Sequence, residues 1–161
     1  MFSTLRLFRN PLRTLGLTLG LTALAACVPG GLTTGGPRVG GQTVQVAMLL
    51  PISSEQGGDS VVARGLENAA RLAASDLQGT TNIQITVYDT AGQAGLAATV
   101  ARQAVSEGAD IIVGPLRSDA AAAVGVAVAS SNVNVLSFSN NTEIAGGNVF
   151  VLGHTFANTA N

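Results

Sequence analysis

The sequence predicts an α/β fold, a doubly wound and mostly parallel sheet, and three observations carry that expectation. Short apolar runs without strict polar–apolar alternation recur along the chain, which is how strands buried on both faces read. The clearest is Ala109 to Val113, which stops at Gly114-Pro115. Between such runs lie alanine-rich stretches with apolar residues at helical spacing. Each run also ends in glycine, proline or a small polar residue suited to a sharp turn and a helix start. Strand alternating with helix gives βαβ units and right-handed crossovers. All strand ends then open onto one rim, where ligands of such sheets collect.

Taken in order, Val44 to Leu50 is the first strand, ended by Pro51. A polar, glycine-bearing loop with Ser53 and Ser54 leads to a helix over Ser60 to Leu77. Its apolar positions are Val62, Leu66, Ala69, Ala70, Ala73 and Leu77, with Arg64, Glu67 and Arg71 opposite and Gly79 as the stop. Ile83 to Tyr88 is the second strand, closed by Asp89-Thr90. Leu96, Val100 and Ala104, joined by Ala97 and Val105, mark a second helix that Gly108 ends. The third strand precedes Gly114-Pro115, and Ser118 or Asp119 caps an alanine helix running to Ser130. Val133 to Phe138 is the fourth strand, Ser139 to Thr142 the loop beyond it, and Val149 to Leu152 a fifth extended piece. A helix starts after His154 and the sequence ends at Asn161. The expectation for 44–161 is therefore an incomplete lobe.

The first 27 residues read as an address rather than a fold. All eight basic residues are arginine; Arg6, Arg9 and Arg13 precede Cys27, while all nine acids follow it. Beyond Cys27, five arginines face nine acids, a mildly acidic balance with no basic stripe for nucleic acid. Leu15 to Ala26 is uncharged and apolar but too short for a permanent span, so 1–26 reads as a signal peptide. Leu24-Ala25-Ala26-Cys27 resembles the bacterial lipobox. That resemblance implies a diacylated Cys27 at the mature N-terminus, and a lone exported cysteine has no disulfide partner to suggest otherwise. Residues 27–43, rich in Gly, Pro and Thr, form a flexible tether. The expectation is an exported protein, lipid-anchored on the periplasmic side. Val28 in place of an aspartate points to the outer membrane.

Catalytic chemistry finds little support. The loop after the first strand lacks G-x-G-x-x-G, and without a lysine no P-loop is possible. Asp89 stands where a ribose-binding acid would, but without the glycines. Gly114 stands where a phosphoryl-accepting aspartate would end the third strand. The only histidine, His154, has no serine elbow to serve, and His, Cys and carboxylates form no ligand cluster. The reading is a non-enzymatic protein with no metal or cofactor. What the strand ends offer is neutral hydrogen bonding. Ser53, Ser54, Ser118, Ser139, Asn140 and Asn141 are the candidate ligand residues, with Thr90 and Ser137 nearby and Arg117 adding a charge. Hydroxyls and amides at helix starts suit a small ligand, particularly a carboxylate. The same residues also serve as ordinary caps and turn formers.

Several segments resemble a known family: Val46 to Pro51, Gly65 to Ala70, Tyr88-Asp89-Thr90, Gly108 to Leu116 and Phe138 to Asn141. Together they look like the N-terminal lobe of type I periplasmic binding proteins, more narrowly the leucine-binding-type domain of penicillin-binding protein activator lipoproteins. In amino-acid-binding members, a serine after the Gly-x-x turn and a loop after the fourth strand hold the ligand's carboxylate and amine. Ser118 matches the first position and Ser139-Asn140-Asn141 the second. There asparagine replaces threonine and Phe138 replaces proline, a departure that favours the activator branch. The resemblance implies two lobes about a cleft, a peptidoglycan synthase as partner and no catalysis. Its alternative is the receptor of an amino-acid-type ABC transporter.

Overall fold

A computed structural model of the chain describes residues 43–154. The signal peptide, Cys27, the tether through Gln42 and the helix start after His154 lie outside the described residues. Five strands form one sheet: β1 (Thr43–Leu50), β2 (Asn82–Asp89), β3 (Ile111–Val113), β4 (Asn134–Ser137) and β5 (Val149–Val151). Three helices, α1 (Asp59–Asp76), α2 (Ala94–Ser106) and α3 (Ser118–Ala127), connect the first four strands. One 3₁₀ turn (Thr142–Ile144) stands between β4 and β5. The spatial order is β2-β1-β3-β4-β5, and each neighbouring pair is parallel. The chain leaves β1 towards β2, then crosses back to β3, so strand order reverses at β1.

The expected two layers of helix are present. Ala47 and Leu49 of β1 face a cluster with Ala97, Ala101 and Ala104 of α2 and Ala120, Val124 and Val128 of α3. Met48 and Leu50, which alternate with them, face Ala63, Leu66 and Ala70 of α1. All four β1 residues are buried, which explains why the strand reads as an unbroken apolar run. The alanines let α2 and α3 lie close to the sheet. At Gly125 of α3 even a methyl group would collide with the Val149 side chain.

Two helix faces match those expected in part: Leu66 and Ala70 of α1 and Ala97, Val100, Ala104 and Val105 of α2 pack on the core, and the edges of each face differ. In α1, Ala63 is the buried residue, while Val62 and Leu77 are exposed at 47% and 45%. This helix carries two adjoining apolar sectors, and hydropathy alone cannot choose between them; the small Ala63 is the one that fits over β1. In α2, Ala97, Ala101 and Ala104 are buried and Leu96 lies outside. Close approach favoured the alanine stripe over the larger side chains. A third difference concerns capping. Arg117 is the N-cap of α3 and makes no side-chain cap bond, so Ser118 is the first helical residue and neither Ser118 nor Asp119 caps the helix. Among the described residues no helix is long and apolar enough to cross a membrane.

Gly114 terminates β3 at φ +100°, with its amide donating to Leu136 O at 2.8 Å. A Cβ there would overlap the Leu49 carbonyl of the adjacent strand. Backbone strain and backbone collision then add, and neither can relax through a rotamer. Gly114→Ala is expected to lower stability by about 3 kcal/mol or more, read from denaturant unfolding midpoints.

Tyr88 on β2 donates its hydroxyl to Glu107 Oε2 at the end of α2, and Gln103 Nε2 donates to the other oxygen at 2.8 Å. Burial, then the bond to Glu107 and its charge, push the Tyr88 hydroxyl up to about 12. The bonds from Tyr88 and Gln103 hold Glu107 below its usual value. A raised tyrosine contributes stability below its unfolded value near 10, which is lost as pH rises through about 12. Tyr88 is the only tyrosine and there is no tryptophan, so tyrosinate absorbance reads it alone. The midpoint is expected at about 12. Glu107→Gln should move it part of the way back.

Candidate functional site

Parallel pairing brings the carboxyl ends of all five strands to one edge of the sheet, and a chain of contacts links the loops there. Asp89, at the end of β2 and in register with Leu50, accepts from Ser53 N at 3.2 Å and Ala91 N at 2.8 Å. A Cβ placed on Gly92 would stand 2.8 Å from Ser54 Oγ and 3.9 Å from Asp59 Oδ2, so the loops after β1 and β2 meet. Asp59, in the first turn of α1, accepts from Arg117 Nε at 2.9 Å, which ties in the loop after β3. Ser137 Oγ donates to Pro115 O at 3.1 Å, and Phe138 N donates to the same carbonyl at 3.0 Å. Gly153 N, beyond β5, donates to Ser139 O at 3.2 Å.

The six candidate residues all lie on this edge but differ in what their side chains do. Ser54 Oγ accepts from Gln56 N at 3.2 Å, Ser139 Oγ from Asn141 N at 3.0 Å, and Asn141 Oδ1 from Glu143 N at 3.0 Å. These are local turn bonds, each to the residue two positions on. The Ser53 side chain bonds to Asp89. Ser118 and Asn140 remain: their side chains have no hydrogen-bond partner among the described residues, Ser118 half-buried and Asn140 exposed. Ser118 opens α3 after β3, and Asn140 stands on the loop after the neighbouring β4. Thr90 and Ser137 are buried at 1% and 0% and belong to the scaffold.

Sequence reasoning missed Asp59 as a part of this edge, and it weighed Asp89 only against ribose. The available signals were the acid directly after Gly57-Gly58 and the Asp-Thr-Ala-Gly run, whose aspartate bonds the amide two residues on. Burial at the strand end raises the Asp89 carboxyl. Bonds from the Ser53 side chain and the amides of Ala91, Ser53 and Ile52 outweigh that, and the net shift is downward. A depressed carboxylate contributes stability above its unfolded value near 4, lost as pH falls through the lower folded value. Asp89→Asn is expected to destabilise at neutral pH and to show a smaller drop in urea midpoint between pH 7 and pH 3 than the parent protein.

Among the described residues no group of three or more His, Cys, Asp or Glu side chains could hold a metal ion. The edge is a hydrogen-bonding surface of hydroxyls, amides, the Arg117 guanidinium and the carboxylates of Asp59 and Asp89.

A family model described as periplasmic binding protein matches residues 43–161. No curated protein matches significantly. Among solved structures, the branched-chain amino acid transporter substrate-binding protein LivJ of Streptococcus pneumoniae, in complex with isoleucine, is 19% identical. It superposes with a TM-score of 0.61, covering 68% of this chain and 33% of its own. A solute-binding protein of an ABC transporter from Rhodopseudomonas palustris, in complex with 3,4-dihydroxybenzoic acid, is 19% identical with a TM-score of 0.62, covering 71% and 33%. A substrate-binding protein from Aeropyrum pernix is 19% identical with a TM-score of 0.61, covering 74% and 33%. The likeness is one of fold, and the chain spans about a third of the length of these structures.

Proposed function

The chain belongs to the periplasmic binding protein family, and from that premise we propose that its folded part is the N-terminal lobe of a solute receptor for an amino-acid-type ABC transporter. The observation that supports this most is the shared strand-end edge, where Ser118 at the start of α3 and Asn140 after the adjacent β4 hold unspent hydrogen-bonding side chains. Their chemistry suits a small polar solute, and two of the similar proteins named above were solved with an amino acid and an aromatic carboxylate. The role is binding, not catalysis. The family is periplasmic. A lipid at Cys27, holding the receptor to the outer membrane by the tether, completes the proposal.

A second reading, contact regulation of a peptidoglycan synthase, is favoured by one observation. In the loop after β4, Ser139 and Asn141 turn their side chains onto their own backbone, which leaves Asn140 alone to grip a solute. Such a loop suits a protein surface as well as a pocket.

Calorimetry of the full-length mature protein against a panel of amino acids and aromatic carboxylates decides between them. Under the receptor reading, at least one solute binds with a sub-millimolar Kd. Ser118→Ala and Asn140→Ala then each weaken it about 3- to 10-fold, the worth of a neutral hydrogen bond. No binding across the panel, together with recovery of a penicillin-binding protein from envelope extracts, would favour the synthase reading instead.

A further inference from the structure

The two edges of the sheet are built differently. On one side β5 has only three residues, and a strand that short offers little to a neighbour. On the other side stands β2, with eight residues in unbroken register against β1. Thr90 N donates to Leu50 O at 2.9 Å, which fixes the alternation along the strand. Even-numbered residues of β2 turn their amide and carbonyl towards β1, so Ile83, Ile85 and Val87 turn theirs outward. No further strand meets them among the described residues. Edge strands of soluble proteins are commonly guarded by lysine, proline, a bulge or an inward-pointing charge. Residues 82–88, NIQITVY, carry no such guard.

That edge is complementary to itself. Ile85 and Val87 lean to the α1 side, where they pack against the cluster of Met48, Leu50 and Ala63. Gln84, Thr86 and Tyr88 lean to the opposite side and line an open groove with Ala104 and Glu107. Antiparallel pairing of two copies sets outward-turned residues opposite one another, and each such pair exchanges both N–H···O bonds. Centred on Ile85, it places Ile83 against Val87 of the second copy and Ile85 against its own equivalent. On the other face Gln84 meets Thr86, an amide against a hydroxyl. Centred on Thr86 instead, the pairing would set Ile83 against Asp89, a carboxylate already bonded to Ser53 N and Ala91 N. The Ile85 register leaves Asp89 outside and puts no charge opposite another. We propose that β2 is a homodimer edge: two copies of this chain pair antiparallel along residues 83–87 about a two-fold axis through Ile85, joining their sheets into one. Pairing of β2 with the β5 edge of another copy would rest on three residues and would not close, whereas the two-fold contact closes on itself. Ser118 and Asn140 follow β3 and β4, beyond β1 from this edge, so the dimer leaves them open. The inference therefore stands independently of what the strand ends bind.

Sedimentation equilibrium of the full-length mature protein in density-matched detergent reads the association, and amide hydrogen exchange reads the contact. The parent is expected to show a reversible monomer–dimer equilibrium, with the amides of Ile83, Ile85 and Val87 gaining protection as concentration rises. Two pairs of substitutions at the exposed Gln84 and Thr86 test the register. Gln84→Lys with Thr86→Lys sets lysine opposite lysine at both symmetry-related places and should raise the dimer Kd roughly 10-fold. Gln84→Lys with Thr86→Glu sets lysine opposite glutamate in the same places, so its Kd should stay at or below the parent value. Both lose the bond from Gln45 Nε2 to Gln84 Oε1, and a loosened fold would weaken both alike. Should the double-lysine variant fail to fold, Gln84→Glu with Thr86→Glu takes its place with the same expected rise. A parent that stays monomeric at every concentration overturns the inference. So does a dimer whose Kd the two pairs of substitutions change alike, or one in which the three amides stay unprotected.

Discussion

Everything in this lobe depends on β1 having a parallel partner on each side. Thr43 to Leu50 pairs with β2 along its whole length, and Val46 to Met48 pairs with β3 on the other edge. A strand so placed has no solvated face, which demands apolar side chains in both directions and a layer of helix on each side. Because the connection to β2 leaves one way and the return to β3 the other, α1 lies on one face and α2 and α3 on the opposite face. The same reversal separates the loops after β1 and β3, and it is across that gap that Asp59 reaches Arg117.

Fold class and strand positions were legible because they rest on patterns of several residues. Runs such as VQVAMLL and ADIIVG combine branched side chains with an abrupt glycine or proline stop, and the element order follows from their alternation with helices. What was not legible was which residue at the edge of each apolar face goes deepest. In α1 and α2 the decision went to alanine because the helices lie close to the sheet. That distance is a property of the assembled layers rather than of either segment. Val62 and Leu96 weigh more on any hydropathy scale than Ala63 and Ala97, yet they lie outside.

The candidate edge was legible in a coarser sense. Small polar residues at strand ends mark where loops gather, and parallel topology does the rest. Their separate duties depend on geometry within two or three residues. Ser139 and Ser118 read alike in a sequence, yet one accepts the amide two residues on and the other has a free hydroxyl. The pairing of Asp59 with Arg117 spans 58 positions and has no local signature at all.

That division of labour separates shape from chemistry. Ser54, Ser139, Asn141 and Asp89 keep the loops in their curves by bonding to backbone amides, and those bonds make no reference to what arrives from solution. Ser118 and Asn140 make no such side-chain bond. A lineage carrying this lobe can therefore exchange the second group freely, acquiring a new cargo or a new neighbour, while the frame that presents it is inherited untouched.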